Sequence, residues 1–306
     1  MFKEKSSSIM ADKLIRATAA DGGIRVVGAI TTKLTEEARG RHQLSYVATA
    51  ALGRTMVAGL LFASSMKKAE SRVNIRIKGK GPLQGILVDA GTDGTVRGYV
   101  GNPSIELPPN EKGKLDVGGA VGRRGYLYVV RDSGSGQPYT STVELVSGEI
   151  GEDLAHYLVT SEQTPSALIV GVFVDASGVT AAGGLLIQIL PKAARDEDLV
   201  DLLQSRLSAV QGFTPMLQAG MTLPQMMEGI LGDLGLEIFP DIQMLRYQCG
   251  CTIDRMAEAL KMLGKQELEE MLNKERGAEV TCEFCADVYR LDDRQLQSLI
   301  SGMPCA

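Results

Sequence analysis

Cysteine is missing from the first 248 residues of this 306-residue chain, and all five cysteines lie beyond that point. A secreted disulfide scaffold spreads its cysteines through a short chain, so that class is excluded. Clustered cysteines in a chain this long point to metal binding or thiol chemistry. Histidine is scarcer still. His42 and His156 stand far apart and offer neither a catalytic triad nor a facial metal set. His42 is expected at a solvated helix start, and His156 on a helix surface or in a packing position. No G-x-x-x-x-G-K-[ST] string is present, and Gly79-Lys80-Gly81 before Pro82 falls short of a nucleotide fingerprint. The sequence therefore gives no case for ATP use, nor for an enzyme. An excess of positive charge is also absent: 32 basic residues stand against 37 acidic ones, for a net charge of −5. That balance argues against a dedicated nucleic-acid binder, though not against a local basic patch. Unbroken apolar runs such as Ala167 to Val174 are too short to span a bilayer. The opening MFKEKSSSIMADK has no apolar core and no small-residue cleavage site. These absences lead to the expectation of a soluble, cytoplasmic protein with no membrane partner and no nucleic-acid partner.

The composition that is there, 44% hydrophobic and 23% charged, is that of a folded chain. Leu14–Ala20 and Ile24–Thr31 flank Asp21-Gly22-Gly23, a hairpin signal because Asp-Gly tolerates positive φ. Val73, Ile75 and Ile77 alternate with Arg72, Asn74, Arg76 and Lys78, the period of a half-buried strand. Further strand runs are Ile86–Asp89, Val96–Val100, Gly125–Arg131, Thr142–Val146, Ala167–Val174 and Leu185–Leu190, with turns at Asp93-Gly94 and Ser177-Gly178. Short turns join antiparallel strands, so the sheet is expected to be largely antiparallel. Gln43–Met66 carries apolar or small residues at helical spacing, and its Ala and Gly content predicts a helix packed tightly on the sheet. A second helix is expected over Glu149–Thr160. The fold class read from this is α+β, with an antiparallel core, packed helices, a helical linker and a small C-terminal zinc domain. The domains are expected at 1–190, 191–235 and 236–306. In the linker, Leu199, Leu202, Leu203, Leu207 and Val210 share one helical face, and Met216, Met221, Met226 and Met227 follow. Packing against the core is the plain reading of those methionines. Their flexibility also suits an adaptable binding surface if they are released.

Cys249-Gly250-Cys251 and Cys282-Glu283-Phe284-Cys285 are separated by thirty residues. Four cysteines make a closed tetrahedral set for zinc, and a C-x-x-C knuckle aims two sulfurs at one point. The C-x-C sulfurs would splay apart on a regular strand, so Gly250 is expected to turn the backbone. Two short helices, Ile253–Leu263 and Gln266–Glu275, are expected to fold back and join the pairs. Three functions remain open from the residues alone: a structural zinc ribbon, a thiol oxidoreductase using CEFC, and a redox switch. The oxidoreductase lacks the βαβ pattern it needs. The switch has a physical basis. So small a segment buries little apolar area, and structural zinc contributes on the order of 10–16 kcal/mol to the folding of small zinc peptides. Sequence does not choose among the three pairings of four cysteines.

At this point the chain resembles a known family, the redox-regulated 33 kDa heat-shock chaperonins, from about Asp12 to Leu291. The likeness rests on ALGRTM (Ala51–Met56), GYVGNP (Gly98–Pro103), SGEIGEDL (Ser147–Leu154), SEQTPSA (Ser161–Ala167) and AAGGLLIQILP (Ala181–Pro191). The two cysteine pairs, with LGKQELEEML (Leu263–Leu272) between them, complete it. The resemblance implies a holdase that binds unfolding proteins under oxidative stress without ATP. It implies that the reduced form holds zinc on Cys249, Cys251, Cys282 and Cys285 and is inactive. Oxidation would then form one disulfide within each pair, release the zinc and unfold the zinc domain and linker, and the active form would be a homodimer. The alternative is a constitutive zinc-ribbon binding module. Residues 1–11 and the Ser133-Gly134-Ser135-Gly136 loop depart from the family pattern. Cys305 also lies outside it and is expected to be an unpaired tail thiol.

Overall fold

The Asp21-Gly22-Gly23 turn closes a hairpin between β1 (Lys13–Ala19) and β2 (Ile24–Ile30), paired from Lys13↔Ile30 to Ala19↔Ile24. Ala20, Asp21 and Gly22 all take positive φ there, 50°, 50° and 75°. The computed structural model describes residues 11–210 and 212–303. The chain divides into two compact units between Tyr247 and Gln248.

Helices α1 (Thr32–His42) and α2 (Tyr46–Ala63) follow, then β3 (Arg72–Gly79), β4 (Ile86–Gly91), β5 (Thr95–Val100) and the short α3 (Val117–Val121). Next come β6 (Gly125–Asp132), β7 (Tyr139–Glu144), α4 (Gly151–Thr160), β8 (Ser166–Asp175) and β9 (Gly178–Ile189). Helices α5 (Glu197–Ala209), α6 (Phe213–Gln218) and α7 (Leu223–Leu231) lead to β10 (Glu237–Ile238), β11 (Gln243–Met244) and β12 (Arg246–Tyr247). One sheet runs β10-β1-β2-β9-β8, with β11 also on β1; the other runs β12-β5-β4-β3-β6-β7. Every pairing in the two is antiparallel except β12 on β5. The α+β, largely antiparallel expectation holds.

Helix α2 is long and apolar enough to cross a membrane by length and composition, yet 89% of that stretch is buried. Such an all-round apolar helix needs cover on every side. It has that cover because it lies against β2, β8 and β9 of one sheet and β3, β4 and β5 of the other. Gly53 and Gly59 permit the approach: a Cβ on Gly53 would meet Val172 and Thr35 methyls at 2.7 Å, and one on Gly59 would meet Ala90 and Val88 at 3.2 Å.

The single helix expected over Gln43–Met66 is in fact preceded by α1. Gln43 takes φ 50° and ends α1, and the Ser45 hydroxyl caps α2 by accepting from Ala48 N at 3.3 Å. The first turn of α1 is capped from far away in sequence: Lys33 N and Leu34 N donate to the Asp12 carboxylate at 3.0 and 2.6 Å. His42 therefore ends a helix rather than starting one. It is half-buried, with Nε2 3.1 Å from the Tyr247 hydroxyl. His156 is half-buried on α4, as expected.

Burial raises the Asp12 carboxyl from 3.8 to about 6, against the lowering effect of those two N–H donors. Since the folded value lies above the unfolded one, the proton's stabilising contribution is complete below pH 4 and is lost as pH rises through 6. Urea unfolding of wild type and Asp12→Asn should thus show the wild type losing stability relative to the variant between pH 4 and 6. The change should be at most about 3 kcal/mol. A gap that moves the other way over that interval contradicts the assignment.

The segment 191–235 is helical and docked, in keeping with the plain reading of its methionines. Leu203, Phe213, Leu223, Met226, Met227, Ile230 and Leu231 are buried against Ile15, Ala17, Val26, Leu185 and Ile187 of the first sheet. Gly28 leaves the room: a Cβ there would lie 2.7 Å from Met227 Cε. Met216 and Met221 pack at the margin. The compact boundary falls twelve residues past the composition break at 235 (247 − 235), because 236–247 pairs into both sheets. Ala17↔Ile238, Leu14↔Gln243 and Tyr247↔Val96 are the registers that hold it.

The second unit contains α8 (Ile253–Lys261), α9 (Lys265–Glu275), the antiparallel hairpin β13 (Gly277–Thr281) and β14 (Val288–Asp292), and α10 (Asp293–Ser301). Its core is Leu260, Leu268, Ala278, Leu291, Leu296 and Ile300.

Candidate metal centre

Cys282 and Cys285 lie in the loop that joins β13 to β14. Cys282 N donates to Asp287 O at 2.9 Å, and Cys285 N and Ala286 N donate to Cys282 O at 3.3 and 2.8 Å. Ala286, at φ 60°, completes the knuckle. These bonds place both sulfurs on the inner side of the loop, where Cys282 is 7% and Cys285 2% exposed. The other pair precedes α8 in irregular chain, and Thr252 caps that helix by accepting from Arg255 N at 3.3 Å. Gly250 does not supply a left-handed turn, contrary to expectation, since it is absent from the positive-φ residues. With no regular strand at 249–251 the sulfurs have no reason to splay. Arg255 instead holds the Gly250 carbonyl from Nη1 at 2.6 Å.

Helices α8 and α9 return the chain so that all four sulfurs lie within 4.8 Å of one another. Cys249 Sγ is 3.8 Å from Cys282 Sγ, and Cys251 Sγ is 3.3 Å from Cys285 Sγ. All four are free cysteines. Four sulfurs about 2.3 Å from a tetrahedral zinc stand about 3.8 Å apart, so the cluster has the scale of a zinc site. Its electrostatics ask for a cation. Burial pushes the Cys285 and Cys282 thiols up; Cys251, Cys282 and Cys249 add to this for Cys285, and Cys249 adds to it for Cys282, where the bond with Cys285 acts the other way. Four thiols so placed do not ionise together unless a positive charge sits among them.

The structure thus brings together Cys249, Cys251, Cys282 and Cys285, and the cluster contains no histidine. Cys305 lies outside the described residues. Tyr289, which the sequence reading missed, also reaches the cluster, with its hydroxyl 3.1 Å from Cys251 Sγ. Nothing local marks it beyond an aromatic residue four positions past Cys285.

The sequence model of the Hsp33 protein family matches residues 12–292, nearly the whole chain. The chain belongs to the Hsp33 family. Among its Hsp33 relatives, the 33 kDa chaperonin of Trichormus variabilis is 72% identical over 291 residues, covering 95% of this chain and 96% of the relative. That of Gloeothece citriformis is 69% identical over 294 residues, covering 96% and 98%. The crystal structure of the Hsp33 homologue from Thermotoga maritima matches with a TM-score of 0.89 at 37% identity, over 95% of this chain and 98% of that one. The chain is accordingly a member of the Hsp33 chaperone family, with the fold of that structure. All four clustered cysteines fall inside the matched span, and Cys305 falls outside it.

Proposed function

We propose that this protein is a redox-regulated, ATP-independent holdase for unfolding client proteins in the cytoplasm. It works without catalysis, is silent while Cys249, Cys251, Cys282 and Cys285 hold zinc, and is switched on by oxidation. The observation that carries this reading is the four-sulfur cluster in a unit whose own core is six buried side chains. Zinc is the metal that suits a closed set of four soft donors, and it supplies folding free energy there. Oxidation of each pair to a disulfide, Cys249–Cys251 and Cys282–Cys285, takes the ligands away. The unit then loses its main support, and the loss is passed on to the docked helices α5–α7. Their undocking bares the apolar face of the first sheet and their own methionines, and a bared apolar face of this kind binds apolar segments of other chains. The active form is proposed to be a homodimer.

The first test is the metal itself. Reduced full-length protein should carry one zinc per chain, and X-ray absorption should show four sulfur neighbours. A nitrogen in the first shell, or protein purified under reductant with no zinc, refutes the assignment.

A further inference from the structure

Tyr289 stands on β14 opposite Val280 of β13. Its hydroxyl lies 3.1 Å from Cys251 Sγ and 3.3 Å from the Cys251 carbonyl oxygen. The carbonyl distance is long for an O–H···O bond, whose usual range is about 2.5–3.0 Å, so the sulfur is the better-placed acceptor. The knuckle sulfurs are served differently, by backbone donors: the N–H of Phe284 for Cys282 and that of Asp287 for Cys285. Those two sulfurs are buried, while Cys249 and Cys251 are half-buried. The more accessible C-x-C pair thus has one of its sulfurs held by a side chain from the other arm of the site.

We propose that Tyr289 is a positioning residue of the redox switch, which ties Cys251 to the hairpin and slows oxidation of the Cys249–Cys251 pair by donating its O–H to the Cys251 sulfur. The inference rests on the reading of the cluster as a zinc site. A donor to a thiolate draws charge from the sulfur, and hydrogen bonds of this outer kind tune both metal affinity and thiolate reactivity. The oxidant is a hydroperoxide. The thiolate sulfur attacks one peroxide oxygen, an S–O bond forms, the O–O bond breaks, and the departing oxygen takes up a proton. The neighbouring thiolate then attacks the sulfenic sulfur, the S–S bond forms, and hydroxide leaves as water. The two thiolates together lose two electrons, the peroxide gains them, and two protons from water complete the two water molecules formed. A sulfur that has given electron density to the Tyr289 hydroxyl is the poorer nucleophile in the first step.

The test compares full-length wild type with Tyr289→Phe and Val280→Ala. Val280→Ala weakens the same hairpin but keeps the hydroxyl. Cobalt(II) replaces zinc, and the thiolate-to-cobalt charge-transfer band is recorded. Separately, the zinc-loaded chains are treated with hydrogen peroxide and the oxidation of each pair is followed by mass spectrometry. Tyr289→Phe should move the band to lower energy, and it should oxidise Cys249–Cys251 roughly tenfold faster, the scale on which outer-shell partners act. In the initial phase, before metal is released, oxidation of Cys282–Cys285 should change far less, by under about twofold, since the Tyr289 hydroxyl is bonded to Cys251 and not to that pair. Val280→Ala should leave both the band and the order of the pairs as in wild type. Unchanged band and rates in Tyr289→Phe overturn the proposal. So does the same change in Val280→Ala, or loss of all cobalt binding in Tyr289→Phe, because a tuning bond is worth less than the site. A wild-type chain that binds neither cobalt nor zinc brings down the zinc reading itself.

Discussion

Removal of the metal by a chelator, or by Cys282→Ser, is expected to unfold residues 248–303 and leave the two-sheet unit folded. Among its described residues the second unit has a core of six buried apolar side chains and a two-stranded hairpin. Domains near that size bury too little surface to be more than marginally stable. The proposed zinc contributes on the order of 10–16 kcal/mol of apparent binding free energy, more than such a core has in reserve. Its loss should therefore take the unit from folded to unfolded. The first unit has its own core around α2, which no cysteine supports. Hydrogen exchange separates the two outcomes. Amides of β13, β14 and α10 should lose protection by several orders of magnitude, while those of α2, β3 and β9 keep theirs. Residues 236–247 should also stay protected where they pair with β1 and β5. Protection of β13 persisting in protein shown to be metal-free would remove the coupling between metal and fold.

What the sequence disclosed, and what it hid, follows from the range of the interactions. The hairpin at Asp21-Gly22-Gly23, the alternation of β3 and the periodicity of α2 are local patterns, and each stands where it was expected. Helix α1 was hidden because its cap, Asp12, reaches it through the fold, and its charged sequence has no strong apolar stripe. The pairings of β10, β11 and β12 involve two residues each, too few for any period to register. They are why the linker and the second unit part at 247 and not at 235. Helix α10 could have been read. Asp292 and Gln295 form a capping box, and Leu296 and Ile300 are one turn apart on the buried side. The four cysteines were legible because their spacing is itself the signal. The role given to Gly250 was not, since the irregular chain before α8 already lets the sulfurs converge.

Oxidation with mild heat is expected to turn client binding from absent to strong, and the docked linker is the reason that both are needed. Leu203, Phe213, Leu223, Met226, Met227, Ile230 and Leu231 lie buried on the first sheet. Each such side chain is worth about 1.5–3 kcal/mol of burial. The helices therefore do not leave merely because the thiols have reacted; mild heat must weaken their docking once the second unit has melted. Peroxide in the cold should form two disulfides and free the metal with little gain in activity. Peroxide with warming should also lower helicity and raise binding of an apolar dye. Reductant with zinc should reverse the sequence. The most direct measurement is light scattering of a thermally unfolding client, without ATP, in the presence of the reduced zinc-loaded chain or the same chain after warm peroxide treatment. The oxidised chain should suppress scattering at near-stoichiometric ratio while the reduced chain leaves it unchanged. Equal suppression by the reduced, zinc-loaded chain would contradict the switch and leave a constitutive zinc-bearing binding module in its place.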